Sequence, residues 1–493
     1  MNPIENHLLR TRRDFLATSA SGIGGVALAS LLAEEGLLAD SDKAGFGDPM
    51  TPRKPHFDAK AKACIFIFMA GAPSQVDLFD PKPKLNEMAG QSLPKSVLDK
   101  ARFAFIKPAT ATLMGTKRTF RKYGQSGMEF SDLVPHLGSV ADDILMVRSM
   151  HSEEFNHHPG QLQMQCGVSR FGMPTMGSWI TYGLGSHSRN LPGYVVLNAG
   201  RGSSGGATLW QSGFLPSNYA GVLFRTQGEP VLNLDNPRGL PPLLQQKGLA
   251  ALNRINRGRY EQIHDPEITA RIAAYELAGR MQVSAPELSD LSKESPATLE
   301  AYGLNRPEPK GIGGRGKSGE TYKDFARNCL LARRMVERGV RFIQLYHRGW
   351  DQHGGLIGAL PKQCNDTDQA GAALVSDLKQ RGMLDETLVV WGGEFGRTTY
   401  SQGGAGKAAN GRDHHPRCFT YWMAGGGIRP GVSHWASDDF GYNVARDPVH
   451  VHDFQATVMH LMGVDHERLT FKYQGRRFRL TDVHGKIVHP ILA

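Results

Sequence analysis

Residues 63–71 read ACIFIFMAG, and this stretch decides the fold class. Every position from Cys64 to Met69 is apolar, with none of the alternation of a strand that has one wet face. A short apolar run that stops at Ala70-Gly71 reads as a strand buried on both faces, which requires helices above and below it. The same signal recurs outward at Ile144–Val147, Tyr194–Leu197, Val340–Tyr346, Thr387–Trp391 and Cys418–Met423. Helical periodicity lies between and after these runs: at Glu320–Arg338, closed by Gly339 as a C-cap, at Asp368–Lys379, and at about Phe454–Met462. Short apolar strands alternating with helices predict an α/β fold, a doubly wound, mostly parallel sheet sandwiched by helices. The Gly- and polar-rich stretch at about 199–320 interrupts the rhythm and reads as a cap or insertion within a single domain over residues 55–493.

The chain has 493 residues, 57 basic and 47 acidic side chains, and a formal charge of +10. Such a balance favours anionic partners, a phosphorylated or sulfated polymer above all. No run of five or six basic residues marks a tail for nucleic acid, which is not expected as a partner. The five cysteines form no C-x-x-C pair and several stand in apolar stretches, so they read as small buried hydrophobes.

At the N-terminus, TRRDFLATSASGIGGVALASLLA pairs Arg12 and Arg13 ahead of a weakly apolar stretch ending in Ala27-Leu28-Ala29. This resembles a twin-arginine export signal over residues 1–40. It implies the twin-arginine machinery as a partner, a periplasmic or secreted destination, and a mature protein without a transmembrane segment. A second motif, GIGGRGKS at 311–318, fits the G-x-x-x-x-G-K-S pattern of a phosphate-binding loop. That loop must leave a buried strand. Pro307 and Pro309 stand where the strand would be, and proline excludes a central strand. The nucleotide reading fails.

Ligands of open α/β sheets sit at the C-terminal ends of the strands. Four patches there pair glycine with acidic residues or histidine: MAGAPSQVDLFDPKP (69–83), HSEEFNHHPGQ (151–161), HRGWDQHGG with WGGEFGRT (347–355 and 391–398), and NGRDHHPR (410–417). Asp351 and His353 are two apart, so extended backbone points both the same way, roughly 6–7 Å apart. Glu394 follows Gly392-Gly393, and Asp413 and His414 lie in another Gly-rich loop. Carboxylates with imidazoles and no thiolate suit a divalent cation: Zn or Mn where histidine dominates, Ca or Mg where oxygen does. Taken singly, each patch reads equally as a hydrogen-bonded turn, and Asp77 as the cap of a turn before Pro81. Together, at the ends of one sheet, they predict a shared site.

These stretches, with ARRMVERGVRFIQLYHRGWDQHGG and HVHDFQATVMHLMGVDHERLTFKYQGRRFRLTDVHG, resemble a large family of secreted bacterial proteins. That family is a domain of unknown function, number 1501, grouped with the alkaline phosphatase and sulfatase superfamily. The resemblance runs from about residue 55 to the end. It implies the superfamily's α/β sandwich, with Asp351 and His353 as an Asp–His ligand set and His414 as the late histidine. Glu394 would replace an aspartate ligand, and Asp77 would supply the acid missing after the first strand. Asp413 joins the ligand candidates, and His157 or His158 would position substrate or shuttle a proton. No formylglycine motif occurs, which leaves Ser74 as the visible hydroxyl in a nucleophile's place. Two function classes follow: a metal-dependent hydrolase of phosphate or sulfate esters, with an anionic ester such as a sulfated or phosphorylated polysaccharide as substrate, or a catalytically silent binding protein for anionic glycans on the same fold.

Overall fold

A computed structural model describes residues 48–98, 111–200, 202–237, 239–307, 321–402 and 411–493. The paired arginines and the GIGGRGKS loop lie outside the described residues. The strands named here are β1 (Ala63–Ala70), β2 (Ile144–His151), β3 (Tyr194–Ala199), β4 (Val222–Phe224), β5 (Phe342–Arg348), β6 (Thr387–Gly392), β7 (Gly396–Ser401), β8 (Arg412–His415), β9 (Phe419–Ala424), β10 (Val432–His434) and β11 (Val449–His450). The helices are α1 (His157–Cys166), α2 (Met176–Leu184), α3 (Pro242–Ile263), α4 (Pro266–Ser289), α5 (Thr321–Glu337), α6 (Leu356–Gln380) and α7 (Val451–Leu461).

The central sheet has nine strands in the order β10-β2-β9-β6-β1-β5-β3-β4, with β11 also pairing β2. Only β9 runs against its neighbours, pairing antiparallel with both β2 and β6. The expected doubly wound, mostly parallel sheet is therefore present. β1 is its centre, parallel to β5 on one side and β6 on the other. Along β1, Ile65, Ile67 and Met69 pack into a core shared with α5 and α6 through residues such as Leu330 and Leu374. Cys64, Phe66 and Phe68 pack oppositely, with Leu162 of α1, Trp179 of α2 and Phe454 of α7. Helices on both faces are why the strand carries no polar alternation. Gly339 closes α5 at φ 79°, a left-handed position that glycine takes without strain. All five cysteines are free and buried.

Three features depart from the local reading of the sequence. Within 199–320 the described chain holds two long helices, α3 and α4, each opened by a proline in its first turn, with Asp265 accepting from Glu267 N at the start of α4. Segment 396–401 continues past Glu394 as a strand rather than a loop. It pairs antiparallel with Arg412–His415, so Asp413 and His414 stand on a hairpin, β7–β8, where a loop was expected. No helix among the described residues is long and apolar enough to cross a membrane.

Parallel strands deliver their loops to one edge. In register, Met69 pairs with His347, Ala70 with Arg348, and Phe68 with Gly392. The segments Gly71–Ser74, Gly349–Gly355 and Gly393–Phe395 therefore leave the sheet side by side.

Candidate metal centre

Four side chains meet at that edge. One donor atom each from His157, Asp351, His353 and His414 lies within 4.8 Å of the others. Their common point is Asp351 Oδ1, which is 2.9 Å from His353 Nε2, 3.2 Å from His157 Nε2 and 3.3 Å from His414 Nε2. His157 opens α1, Asp351 and His353 come from the loop after β5, and His414 from β8. The β7–β8 register shifts between Arg412 and His414. Bulges of this kind re-aim side chains beside functional sites. Here Arg412 turns to Asp77 while His414 turns to Asp351.

The histidine tautomers follow from the outer partners. His414 Nδ1 lies 2.6 Å from the carbonyl oxygen of Phe155, which can only accept, so the ring proton sits on Nδ1. His157 Nδ1 donates to Glu394 Oε1 at 2.6 Å, and His353 Nδ1 to Gln402 Oε1. Each ring then turns the lone pair of a neutral Nε2 inward, with His353 Nε2 2.9 Å from His414 Nε2. Three lone pairs beside a carboxylate oxygen repel one another unless a proton or a cation stands among them. Histidine ligands of metals hold their other ring N–H on a carboxylate or carbonyl in this way. His157 Nε2 and Glu394 Oε2 are also buried without a hydrogen bond among the described residues. The donor set fits a divalent cation.

Residues 61–492 match the family model described as Protein of unknown function (DUF1501). The chain belongs to this family. No curated protein matches the sequence. Among solved structures, the DUF1501 chain is similar to the PsFucS1 sulfatase from Pseudoalteromonas sp., at 12% identity and a TM-score of 0.34, over 90% of this chain and 73% of that one. It is also similar to the alkaline phosphatase from the Antarctic bacterium TAB5, at 10% identity and a TM-score of 0.32, over 82% and 98%. The third is the phosphonate monoester hydrolase SpPMH from Silicibacter pomeroyi, at 13% identity and a TM-score of 0.31, over 73% and 71%. No residue role passes to this DUF1501 chain from likenesses so distant.

The remaining candidates stand around the donors, not among them. Glu394 is buried behind His157, and its Oε1 accepts from Gly71 N at 2.9 Å and Gln161 Nε2 at 3.1 Å as well as from His157. It leaves the buried strand β6 too early to reach the cluster. Asp413 Oδ1 is 3.8 Å from His353 Nδ1 and accepts the backbone N–H of His414. Asp77 is buried against Arg412, whose Nε lies 2.7 Å away, and Ser74 Oγ donates to Asp77 at 2.5 Å. Burial opposes the charge on Asp77, but Arg412 and these hydrogen bonds overcome it and hold the carboxyl below its ordinary value. Both side chains are consumed by that contact. His158 Nε2 is 3.0 Å from Thr208 Oγ1.

Sequence reasoning assigned no part to Arg397. Its guanidinium is buried, donates to the carbonyls of Gly71, Ala72 and Arg412, and reaches Asp351 Oδ1 at 2.6 Å. Gln402 and the Phe155 carbonyl were equally invisible, because nothing local marks an outer partner.

Burial disfavours charge on Asp351, yet the adjoining rings of His157, His353 and His414, where a proton shared with any of them bonds to the carboxylate, and the charge of Arg397 outweigh it and hold the carboxyl far below the usual range. Burial likewise opposes the imidazolium of His157, but Asp351 and Glu394 raise it from 6.5 to about 9. The metal-free fold therefore holds this proton more tightly than the unfolded chain does. The resulting stabilisation is complete below pH 6.5 and lost as the pH rises through about 9. Chelator-treated protein is expected to melt at a lower temperature at pH 9 than at pH 6.5, in a scan of melting temperature against pH. A rise over that window would contradict the assignment.

Gly71 is where β1 touches the metal-side loop. Its φ is 110°, and a Cβ there would lie 2.7 Å from Asp351 N and 2.9 Å from Trp350 N, both backbone atoms. Gly71→Ala is expected to lower stability by about 3 kcal/mol or more, through strain and displacement of the 349–351 loop. A urea midpoint within error of wild type would show that the two loops are not packed this closely.

Proposed function

We propose that this DUF1501 protein is an exported, metal-dependent hydrolase of phosphate or sulfate esters in the alkaline phosphatase and sulfatase superfamily. The observation that carries the reading is the convergence of His157, Asp351, His353 and His414 at a sheet edge open to solvent, with Asp351 43% exposed in its side chain. Asp351, Glu394 and Asp413 against Arg397 leave the surroundings with a formal charge of about −2, which a divalent cation neutralises. Three imidazole nitrogens with one carboxylate oxygen favour Zn or Mn over Ca or Mg. Such an ion supplies Lewis acidity toward an ester oxygen and lowers the pKa of water.

The chain's own residues prepare that centre. Glu394, Gln402 and the Phe155 carbonyl hold protons on the three Nδ1 atoms and keep every Nε2 a donor. Arg397 keeps Asp351 ionised and oriented. Thr208 Oγ1 gives its own proton to Gly205 O, so it accepts from His158 Nε2 and fixes the orientation of that ring. Metal analysis of protein purified without chelator, followed by aryl phosphate, sulfate and phosphonate substrates, tests the reading. About one ion per chain and turnover abolished by chelation are expected. A metal-replete chain that turns over no ester is instead the silent binding protein.

Export is tested separately. Replacing Arg12 and Arg13 together by lysine is expected to leave the protein in the cytoplasm, as followed by cell fractionation. Normal periplasmic levels of the double variant would remove the twin-arginine assignment.

A further inference from the structure

A second group of titratable side chains lies at the same sheet edge, outside the metal centre. It lines an open pocket of about 440 Å³ with Glu153, His450, His452, Asp453, His484 and Lys486, a size typical of small-ligand sites. β11 sets His450 beside His151 at the end of β2. β2 itself leads through residues 152–156 into His157 of the metal centre. His450 on β11 lies one strand spacing, roughly 5 Å, beyond β2 along the edge. Segment 152–156 joins the two places: Glu153 faces the pocket and Phe155 holds His414. Gln163, on the helix that begins with His157, donates to Glu153 at 2.6 Å.

The hydrogen bonds fix the histidine rings of this pocket. His450 Nδ1 accepts the backbone N–H of His452 at 3.1 Å, so its Nε2 carries the proton and donates to Glu153 at 2.8 Å. His452 spends its Nε2–H on the carbonyl of Gly167. Both nitrogens of His450 are therefore taken up, while His452 keeps an Nδ1 lone pair that is buried without a partner among the described residues. Two carboxylates against one ammonium disfavour an anion. The hydrogen bond from His450 holds Glu153 at about 2, so it stays an ionised acceptor, and a carboxylate has about four lone-pair sites to offer. Lys486 Nζ adds donors, and the rings of His452 and His484, stacked at 4.9 Å and 13°, add a flat face.

We propose that this pocket is a saccharide subsite, taking the hydroxyl groups of an uncharged sugar residue near the esterified one. Acceptors, donors and a flat ring pair within one open cavity match the hydroxyls and the face of a pyranose. The inference rests on the ester-hydrolase reading for its place in the reaction, but not for binding, and it makes the substrate a glycan ester. Full-length protein is titrated with cellohexaose, xylohexaose, mannohexaose and laminarihexaose by calorimetry. At least one is expected to bind, and Glu153→Ala and Lys486→Ala each to weaken it by about 10-fold. Lys486→Ala guards against misfolding, since Asp453 is held by the backbone N–H of Lys486 and not its side chain. Binding of none of the four, or binding by both variants as tight as wild type, overturns the proposal. Sugar binding without ester turnover leaves the subsite standing and removes the hydrolase; turnover without sugar binding does the reverse.

Discussion

His353→Ala is expected to strip the bound metal and to lower ester turnover by at least ~10³-fold. The imidazole supplies the Nε2 closest to Asp351 Oδ1, at 2.9 Å, and its loss leaves two imidazoles and one carboxylate. Removing an outer partner of a ligand typically costs ~10–100-fold in affinity, so removing a ligand should cost more. Lewis-acid assistance is worth several kcal/mol, and each ~1.4 kcal/mol is a factor of ten in rate. The change separates chemistry from folding because the His353 side chain is 33% exposed. Asp351→Ala is the poorer experiment, since it would leave the buried Arg397 guanidinium without its carboxylate. Metal content by mass spectrometry and melting temperature are read on the same sample. Full metal occupancy with normal turnover in His353→Ala would falsify the proposed centre.

Glu394 carries the second large effect, and its two variants part in a diagnostic way. Glu394→Gln keeps the volume but replaces one carboxylate oxygen with an amide that donates. Glu394 Oε1 takes three donors, Gly71 N, His157 Nδ1 and Gln161 Nε2, and an amide cannot serve them all equally well. His157 then loses the partner that fixes its tautomer. Metal affinity is expected to fall ~10–100-fold, with turnover substantially recovered at saturating metal. Glu394→Ala is expected to be a folding defect instead, about 3–5 kcal/mol, because three buried donors lose their acceptor. Were Glu394 a direct ligand, saturating metal would not rescue Glu394→Gln. That result would move it into the donor set.

Local periodicity made the sheet legible. The run from Cys64 to Met69 announces its two-sided burial residue by residue, and the strands at 144, 194, 342, 387 and 419 carry the same signal. From parallel strands it follows that loops after β1, β5 and β6 share an edge, so the gathering of Asp351, His353 and Glu394 there could be anticipated, whereas His414 arrives on the β7–β8 hairpin. Residue type and strand end are enough for that. The layer in which each residue stands could not be read, because it depends on contacts between distant segments. Glu394 meets Gly71 across 323 residues, and His414 meets Phe155 across 259. Periods of 2 and 3.6 residues carry no information at that range. His157 sits in the donor set because α1 starts under the loop holding Asp351, and Glu394 sits behind it because β6 buries it first. The β7–β8 hairpin likewise forms through pairing over the gap between Ser401 and Arg412, where the intervening composition reads as loop. A parallel sheet and the kinds of side chain at its edge are written in local residue patterns; which nitrogens turn inward is set in three dimensions, since a tautomer follows whatever acceptor the fold brings to the other side of the ring.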